Sequence, residues 1–304
     1  GKNANLGEVG NRVHLPTPEG FAISSYAFKR FMEHNNFISI LHEKMADLAV
    51  EDLDTLNETS AVIREMIIGA EMPADLLADF DTSIELLKKQ TGHSTIMVSV
   101  RSSALQEDGE FSFAGQYESM LNVPADKIYD AYRQVIASAY TPQAWQYRLH
   151  RNYRESEMAM AVGVQLMAAA EVSGALYSYA PLPQEQQALV VSAAWGLGPA
   201  VVQGIADSDT FVLDRLPPHE VVSEELGNKA RMIVPGGEGG TVWEDVPEPL
   251  REVPCLSAAR LERLAQAAMI IERYYKRPQD VEWAFDRDGN LCILQSRPLS
   301  IRPE

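Results

Sequence analysis

Residues 280–297 place the strongest constraint on the fold, because two strand-like runs flank a short turn. Asp280–Phe285 and Leu291–Gln295 are separated by Asp286-Arg287-Asp288-Gly289-Asn290. An Asp-Gly turn between two such runs is typical of a β-hairpin. The segment therefore predicts two neighbouring antiparallel strands.

The side chains of this hairpin predict a site for a metal and a phosphate. Residues two apart on a strand point to the same face, so Asp280 and Glu282 share one face, and Gln295 and Arg297 repeat the spacing on the partner strand. Mg²⁺ prefers one or two carboxylates together with substrate phosphates. A guanidinium group such as that of Arg297 suits a terminal phosphate. The alternative is a sheet face with ordinary cross-strand ion pairs.

The rest of the chain predicts an α+β fold with mainly antiparallel strands. Apolar spacing of three or four predicts helices between 26 and 89, and a β-branched run near residue 95 marks the change to strands. Further helices are predicted at a short segment around Leu6–Val9, at Asp126–Arg154 and at Ser257–Tyr275. Further strands are predicted at Phe21–Ser24, Thr95–Val100, Tyr117–Val123, Met158–Ala168, Gly174–Tyr177, Ala188–Ala193 and Asp209–Asp214, and residues 217–254 are predicted to form a loop and hairpin excursion.

Composition excludes several classes of function. The 304 residues carry a net charge of -17, which argues against a nucleic-acid or anionic-membrane surface. No apolar run approaches the roughly 20 residues of a membrane helix. Two cysteines, Cys255 and Cys292, are too few for a disulfide framework and are expected to be buried thiols. We therefore expect a cytoplasmic protein with about two domains and no nucleic-acid or membrane partner.

Three further clusters combine glycine or serine with a polar group. Lys2 stands in a small-residue loop before a predicted helix, where it could reach a phosphate, although surface lysines beside glycine are common. Arg101 follows a strand and precedes Ser102-Ser103, which suits a polyphosphate oxygen or, alternatively, an ion pair with Glu107 or Asp108. Trp195-Gly196-Leu197-Gly198 predicts a structural turn, since it matches no nucleotide-binding glycine motif. His93 is interpreted as a surface residue.

With these clusters in view, the chain resembles the N-terminal nucleotide-binding domain of the phosphoenolpyruvate synthase and pyruvate phosphate dikinase family, an ATP-grasp fold. The sequence segments that match the family include GKNANLGE, LPTPEGFAIS, VSVRSSALQED, SFAGQYESMLNV, WGLG and PQDVEWAFDRDGNLCILQSRP. The resemblance implies two lobes, 1–160 and 161–304, with a nucleotide cleft between them. The family often has Glu where this chain has Pro199.

The resemblance also implies roles for individual residues. ATP phosphates would be bound by Lys2, Arg101 and Arg297, which are the catalytic candidates. Magnesium would be bound on the side of Glu282 and Gln295. The full nucleotide-binding set implied in this way is Lys2, Arg101, Gly115, Ser119, Gln165, Asp280, Glu282 and Arg297.

The activity implied by the resemblance is transfer of a phosphoryl group from Mg-ATP to a histidine on a swivelling domain, and from there to pyruvate in a third domain. The chain ends before any such histidine motif, so an ATP-binding piece of a longer dikinase is expected. A phosphotransferase with another acceptor, such as an antibiotic or a glucan, remains open. A non-catalytic nucleotide-binding module and a plain interaction domain are two further alternatives that remain open. Whether water or phosphate is the second phosphoryl acceptor, and whether the protein is a homo-oligomer, are also open.

Overall fold

In a computed structural model the chain forms two compact units. The structure describes residues 1–46, 52–104, 118–150, 158–180, 188–202, 204–205 and 207–299. The first unit is Glu19–Met167, and the second combines Lys2–Pro18 with the chain from Ala168 onward. Helix α1 (Lys2–Asn11) therefore belongs to the second unit although it comes first in the sequence.

The first unit is a four-stranded antiparallel sheet packed with helices. Its strands have the order β1-β4-β2-β3. They are β1 (Gly20–Ile23), β2 (Met97–Ala104), β3 (Ser119–Pro124) and β4 (Met160–Leu166). The helices are α2 (Ser25–His34), α3 (Phe37–Ala46), α4 (Leu53–Ile68), α5 (Ala74–Thr91), α6 (Ile128–Ser138) and α7 (Pro142–His150), with a 3₁₀ turn at Ala125–Lys127. The valines at 98, 100, 162 and 164 enter the core, so the alternate residues of β2 and β4 share the opposite face.

The prediction of one long helix over Asp126–Arg154 is wrong for the residues that the structure describes. Two helices, α6 and α7, are separated by Ala139–Thr141. Proline disfavours helical backbone at the residue before it and is well accommodated at the start of a helix. Pro142 therefore begins α7 and cannot lie inside a continuous helix.

The second unit is a six-stranded antiparallel sheet with the order β12-β11-β5-β6-β7-β8. Its strands are β5 (Val172–Tyr177), β6 (Ala188–Trp195), β7 (Asp209–Asp214), β8 (Val221–Glu225), β11 (Gln279–Phe285) and β12 (Leu291–Pro298). Strands β9 (Arg231–Pro235) and β10 (Thr241–Asp245) pair separately with each other. The helices are α1, α8 (Pro199–Val202) and α9 (Ala258–Tyr275), with a 3₁₀ turn at Glu248–Leu250.

Helix α9 forms the core of the second unit with one face of the large sheet. Ser257 caps its N-terminus by accepting a hydrogen bond from the Arg260 N–H at 3.3 Å. The buried core contains four apolar residues from one face of α9, the residues of β11 that alternate with Asp280 and Glu282, and two residues of α1: Leu261, Leu264, Ala265, Ala268, Val281, Trp283, Phe285, Leu6 and Val9. Because this face is apolar, the other face of β11 is the one that carries the carboxylates.

The predicted α+β class with mainly antiparallel sheets is confirmed. The excursion at 217–254 contains the expected hairpin, but β8 was not predicted, and it joins the edge of the large sheet next to β7. The boundary predicted at 160/161 stays a prediction; the first compact unit continues through β4 to Met167, because β4 pairs with β1 and β2. Among the described residues, no helix is long and apolar enough to cross a membrane.

Candidate functional site

The hairpin of β11 and β12 brings the four predicted side chains together. In the antiparallel register Asp280 lies opposite Arg297 and Glu282 lies opposite Gln295. The turn between the strands contains Gly289 with φ of 78°, a backbone conformation that favours glycine. The sequence therefore predicted both the hairpin and the shared face correctly.

Direct contacts join the side chains of each opposed pair. Arg297 donates to Asp280 Oδ2 from Nε at 2.8 Å, and its Nη2 lies 2.7 Å from the same oxygen. The Asp280 side chain is 9% exposed and that of Arg297 is 26% exposed. Gln295 Nε2 donates to Glu282 Oε1 at 3.1 Å. The amide thus orients one carboxylate and the guanidinium orients the other.

Burial and neighbouring charges shift both members of the Asp280–Arg297 pair. Burial raises the pKa of Asp280 above its usual value; Arg297 and Lys2 act in the opposite direction, and Glu282 adds to the increase. Burial lowers the pKa of Arg297, but the charges of Asp280 and Glu282 outweigh burial and raise it. The guanidinium therefore stays positively charged on a face that it shares with two carboxyl groups.

Helix α1 brings Lys2 to this cluster. The helix is fixed to the sheet by Asn5, whose Nδ2 donates to the Ser296 carbonyl at 3.3 Å and whose carbonyl accepts from the Tyr275 hydroxyl at 3.0 Å. The charge of Lys2 lowers the pKa of Asp280, as expected for an ammonium group close to that carboxyl group. Lys2 was expected in a loop before a helix around Leu6–Val9, but it is the first residue of α1, and it belongs to the same group as the hairpin residues.

Tyr177 belongs to this group but was not predicted. It lies directly opposite Asp280 on β5, the strand next to β11. Burial raises the pKa of its hydroxyl, with a further increase from Asp280 and Glu282 and a decrease from Arg297. The sequence showed a strand at 174–177, but it contained no signal for which strand would pair with β11.

A second set of predicted residues shares one face of the sheet in the first unit. Arg101 lies opposite Gly163 on β4 and opposite Ser119 on β3, while Gln165 on β4 lies opposite Ser99. Arg101 and Gln165 alternate with the buried valines of β2 and β4, and Ser119 is paired with Arg101, so all three point away from the core. Gly115 and the alternative partners of Arg101, at 107 and 108, lie outside the described residues.

The Trp195–Gly198 motif has the structural role that the sequence favoured. Gly196 has φ of 81°, its N–H donates to the Glu171 carbonyl, and a Cβ at this position would lie 2.3 Å from the Ile233 carbonyl oxygen. Pro199 begins the short helix α8 directly after the motif.

His93 is exposed, as predicted. Cys255 is buried, as expected, whereas Cys292 is only partly buried.

Lys229 and Asp209 form a buried ion pair in the second unit that the sequence did not predict. The ammonium group of Lys229 contacts the Asp209 carboxylate, and the two side chains are 1% and 0% exposed. The same carboxylate accepts from the backbone N–H groups of Gly227 at 3.1 Å and Cys255 at 2.9 Å. This pair connects the start of β7 to two distant loops.

The cluster on the second unit combines positive charge with side-chain oxygen donors. Arg297 and Lys2 supply positive charge, and Glu282 and Gln295 supply oxygen atoms of the kind that Mg²⁺ binds. Within the parts of the chain that the structure describes, no group of three or more His, Cys, Asp or Glu could hold a metal ion. The donor set fits Mg²⁺ that is shared with phosphate oxygens.

The chain belongs to the family described as pyruvate phosphate dikinase, AMP/ATP-binding domain, whose model matches residues 1–304. This confirms the family resemblance and is consistent with the ATP-grasp fold expected from it. Curated relatives include the probable phosphoenolpyruvate synthases of Methanocaldococcus jannaschii, 34% identical over 99% of this chain, and of Archaeoglobus fulgidus, 35% identical over 100%. The phosphoenolpyruvate synthase of Pseudomonas aeruginosa is 34% identical over 99% of this chain.

The chain spans only part of these relatives. It covers 25% of the Methanocaldococcus protein and 40% of each of the other two. Among solved structures, D-cycloserine synthetase matches with a TM-score of 0.34 at 9% identity, over 98% of this chain and 62% of that one. The D-alanine–D-alanine ligase of Bacillus anthracis complexed with ATP gives 0.33 at 9% identity, over 97% and 54%. At these values the structural likeness has no bearing on function.

Proposed function

We propose that the chain binds Mg-ATP, with the polyphosphate and the metal held at the cluster on the second unit. The observation that carries the proposal is the cross-strand register that places Asp280 opposite Arg297 and Glu282 opposite Gln295. Membership of an AMP/ATP-binding family supports the choice of ligand. Arg297 and Lys2 would offset the phosphate charge, and Glu282 and Gln295 would hold the magnesium ion.

Magnesium supplies neutralisation of the charge on the phosphoryl group when it is bound. The chain's own residues provide the positioning: Gln295 orients the Glu282 carboxylate, and Asp280 orients the Arg297 guanidinium. Phosphoryl transfer depends on such positioning and charge stabilisation far more than on covalent chemistry by the protein. Arg101, Ser119 and Gln165, together with Gly115, are proposed as further nucleotide-binding residues on the basis of the family resemblance.

We also propose that the longer protein to which this chain corresponds is a pyruvate, water dikinase. In this reaction ATP gives up two phosphoryl groups and leaves as AMP: one passes through a histidine on a separate domain to pyruvate, and the other is transferred to water and released as phosphate. The support is the name phosphoenolpyruvate synthase that the curated relatives share, and the part of their length that this chain spans. A cytoplasmic location is proposed with it, as is normal for an enzyme that consumes ATP.

Calorimetric titration with ATP, with and without Mg²⁺, tests the binding proposal. We expect Glu282→Gln to weaken binding of Mg-ATP more than binding of metal-free ATP, because the lost charge faces the metal. Arg297→Ala should weaken both, because the guanidinium contacts the phosphates directly. Arg287→Ala is the matched control, since it removes the same charge from the exposed turn of the same hairpin. Absence of ATP binding by the folded wild-type chain would refute the proposal.

A separate experiment tests the dikinase proposal. The full-length protein, incubated with ATP labelled at the transferred phosphoryl group, should acquire acid-labile label on a histidine and then release labelled phosphoenolpyruvate when pyruvate is added. Labelled histidine that pyruvate does not discharge would instead indicate another acceptor.

A further inference from the structure

Three buried polar side chains lie on the opposite face of the sheet from the charged cluster. They are Ser178, Gln279 and Ser296, which are 0%, 1% and 0% exposed. Buried polar groups are costly unless they are hydrogen-bonded, so their presence in an otherwise apolar core requires an explanation.

Each of these residues is joined by a peptide bond to a member of the charged cluster. Gln279 precedes Asp280, Ser296 precedes Arg297, and Ser178 follows Tyr177. Neighbouring residues on a strand point to opposite faces. Whatever fixes the three buried side chains therefore also fixes the backbone from which the charged ones project.

The three residues are connected by direct hydrogen bonds. Ser296 Oγ donates to Gln279 Oε1 at 2.9 Å, and the Gln279 backbone N–H donates to Ser178 Oγ at 2.8 Å. The amide nitrogen of the Gln279 side chain, Nε2, donates to the carbonyl oxygens of Arg277 at 3.0 Å and Pro278 at 3.2 Å. Gln279 thus uses both ends of its amide group and holds β11, β12 and the connection from α9 together.

Both ends of this chain of bonds reach helices. At one end Ser178 Oγ donates to the carboxylate of Glu272 on α9, which also binds Arg215. At the other end the Ser296 carbonyl accepts from Asn5 on α1, the helix that carries Lys2. Every element that supplies a residue to the charged cluster is therefore attached to the same buried network.

We propose that Gln279, with Ser296 and Ser178, is a positioning residue that fixes the strand pairing and hence the places of Asp280 and Arg297. Its consequence for nucleotide binding rests on the proposed function. An apolar core contact would fix the distance between strands but not the direction of each polar group, whereas a fully satisfied hydrogen-bond network specifies both. Loss of one member leaves its partner buried and unsatisfied.

Gln279→Met tests this role, because it keeps the length of the side chain and removes only its polar groups. We expect the dissociation constant for Mg-ATP to rise about tenfold, as is typical when a supporting partner behind a binding residue is lost. In the ligand-free chain, the NMR signal of the Arg297 Nε–H, which reports its hydrogen bond to Asp280, should shift or broaden. Ser296→Ala should produce a smaller change in the same direction, and it serves as the second variant if Gln279→Met does not fold.

Ile271→Val is the control, since it reduces packing in the same core without touching a hydrogen bond. It should lower the melting temperature and leave both the Arg297 signal and the affinity unchanged. If Gln279→Met and Ser296→Ala behave like this control, the positioning role is refuted. If the wild-type chain fails to bind Mg-ATP while the Arg297 signal still depends on Gln279, the proposed function fails and the positioning role stands.

Discussion

Two guanidinium nitrogens of Arg297, Nε and Nη2, converge on a single carboxylate oxygen of Asp280, at 2.8 and 2.7 Å. This geometry depends on the planar guanidinium group and fixes its orientation within the sheet face. The second carboxylate of the face, Glu282, has its own partner in Gln295. The cluster is therefore ordered before any ligand binds.

Arg297→Lys should weaken binding of Mg-ATP although the positive charge is kept. A lysine ammonium group has no planar fork, so it cannot contact Asp280 and a phosphate oxygen in one fixed geometry; loss of one charge-assisted hydrogen bond to the phosphate costs about 1.5–3 kcal/mol, which is tenfold or more in affinity. Calorimetry measures the change, and Arg287→Lys in the exposed turn is the control. Equal affinities of wild type and Arg297→Lys would show that only the charge matters.

The stability of the second unit should depend on the protonation of Asp280. Burial raises its pKa in the folded chain above 3.8, so the folded chain retains a proton that the unfolded chain has already released. The stabilisation by this group is complete below 3.8 and is lost as the pH rises through the higher, folded value. Asp280→Asn should remove this decrease, which is measured by denaturant unfolding across the acid range.

Asp286→Asn is the control of opposite sign. The side chain of Asn290 lowers the pKa of Asp286, so its stabilising contribution is present above the ordinary aspartate value and is lost as the pH falls. A variant at 280 that retains the wild-type pH dependence would contradict the assignment to Asp280.

Gly174→Ala should prevent the second unit from folding. A Cβ at this position would lie 1.8 Å from the Ser192 carbonyl oxygen on the paired strand, which no side-chain movement relieves. Gly198→Ala is the matched control, because its nearest neighbour would be Ser173 Oγ at an ordinary 3.9 Å. Circular dichroism and expression in soluble form distinguish the two; a normally folded Gly174→Ala protein would contradict the close approach of β5 and β6.

Lys229→Met should destabilise the second unit by about 3–5 kcal/mol, because it leaves the Asp209 carboxylate buried without its partner. The double variant Asp209→Asn/Lys229→Met should be less destabilised than the sum of the single variants, since it leaves no unpaired charge. Denaturant unfolding measures each free energy. Lys88→Met removes a partly exposed lysine paired with the exposed Glu85, and a change above about 1 kcal/mol there would contradict the role given to burial.

The parts of the fold that the sequence predicted are those governed by local signals. The Asp-Gly turn and the alternation around it specified the β11–β12 hairpin, and Ser257 marked the start of α9. The break before Pro142 is equally local, but the apolar pattern continues through it and predicts one helix where there are two.

The sequence predicted the residues of the candidate site that lie on one hairpin. Asp280, Glu282, Gln295 and Arg297 follow from one hairpin, whereas Tyr177 depends on which strand pairs with β11. The partners Asp209 and Lys229 are brought together by loops that have no periodic signal. Such long-range pairings depend on tertiary packing, which periodicity along the sequence does not encode.

The position of α1 in the second unit has a consequence for the order of events during synthesis. Asn5 is bonded to Ser296, 291 residues further along the chain, so the helix that carries Lys2 emerges from the ribosome long before its docking surface exists. The first unit is an insertion between the two pieces of the second. It can fold before α1 is bound to β12. Lys2 can therefore join Asp280 and Arg297 only after β12 has been made.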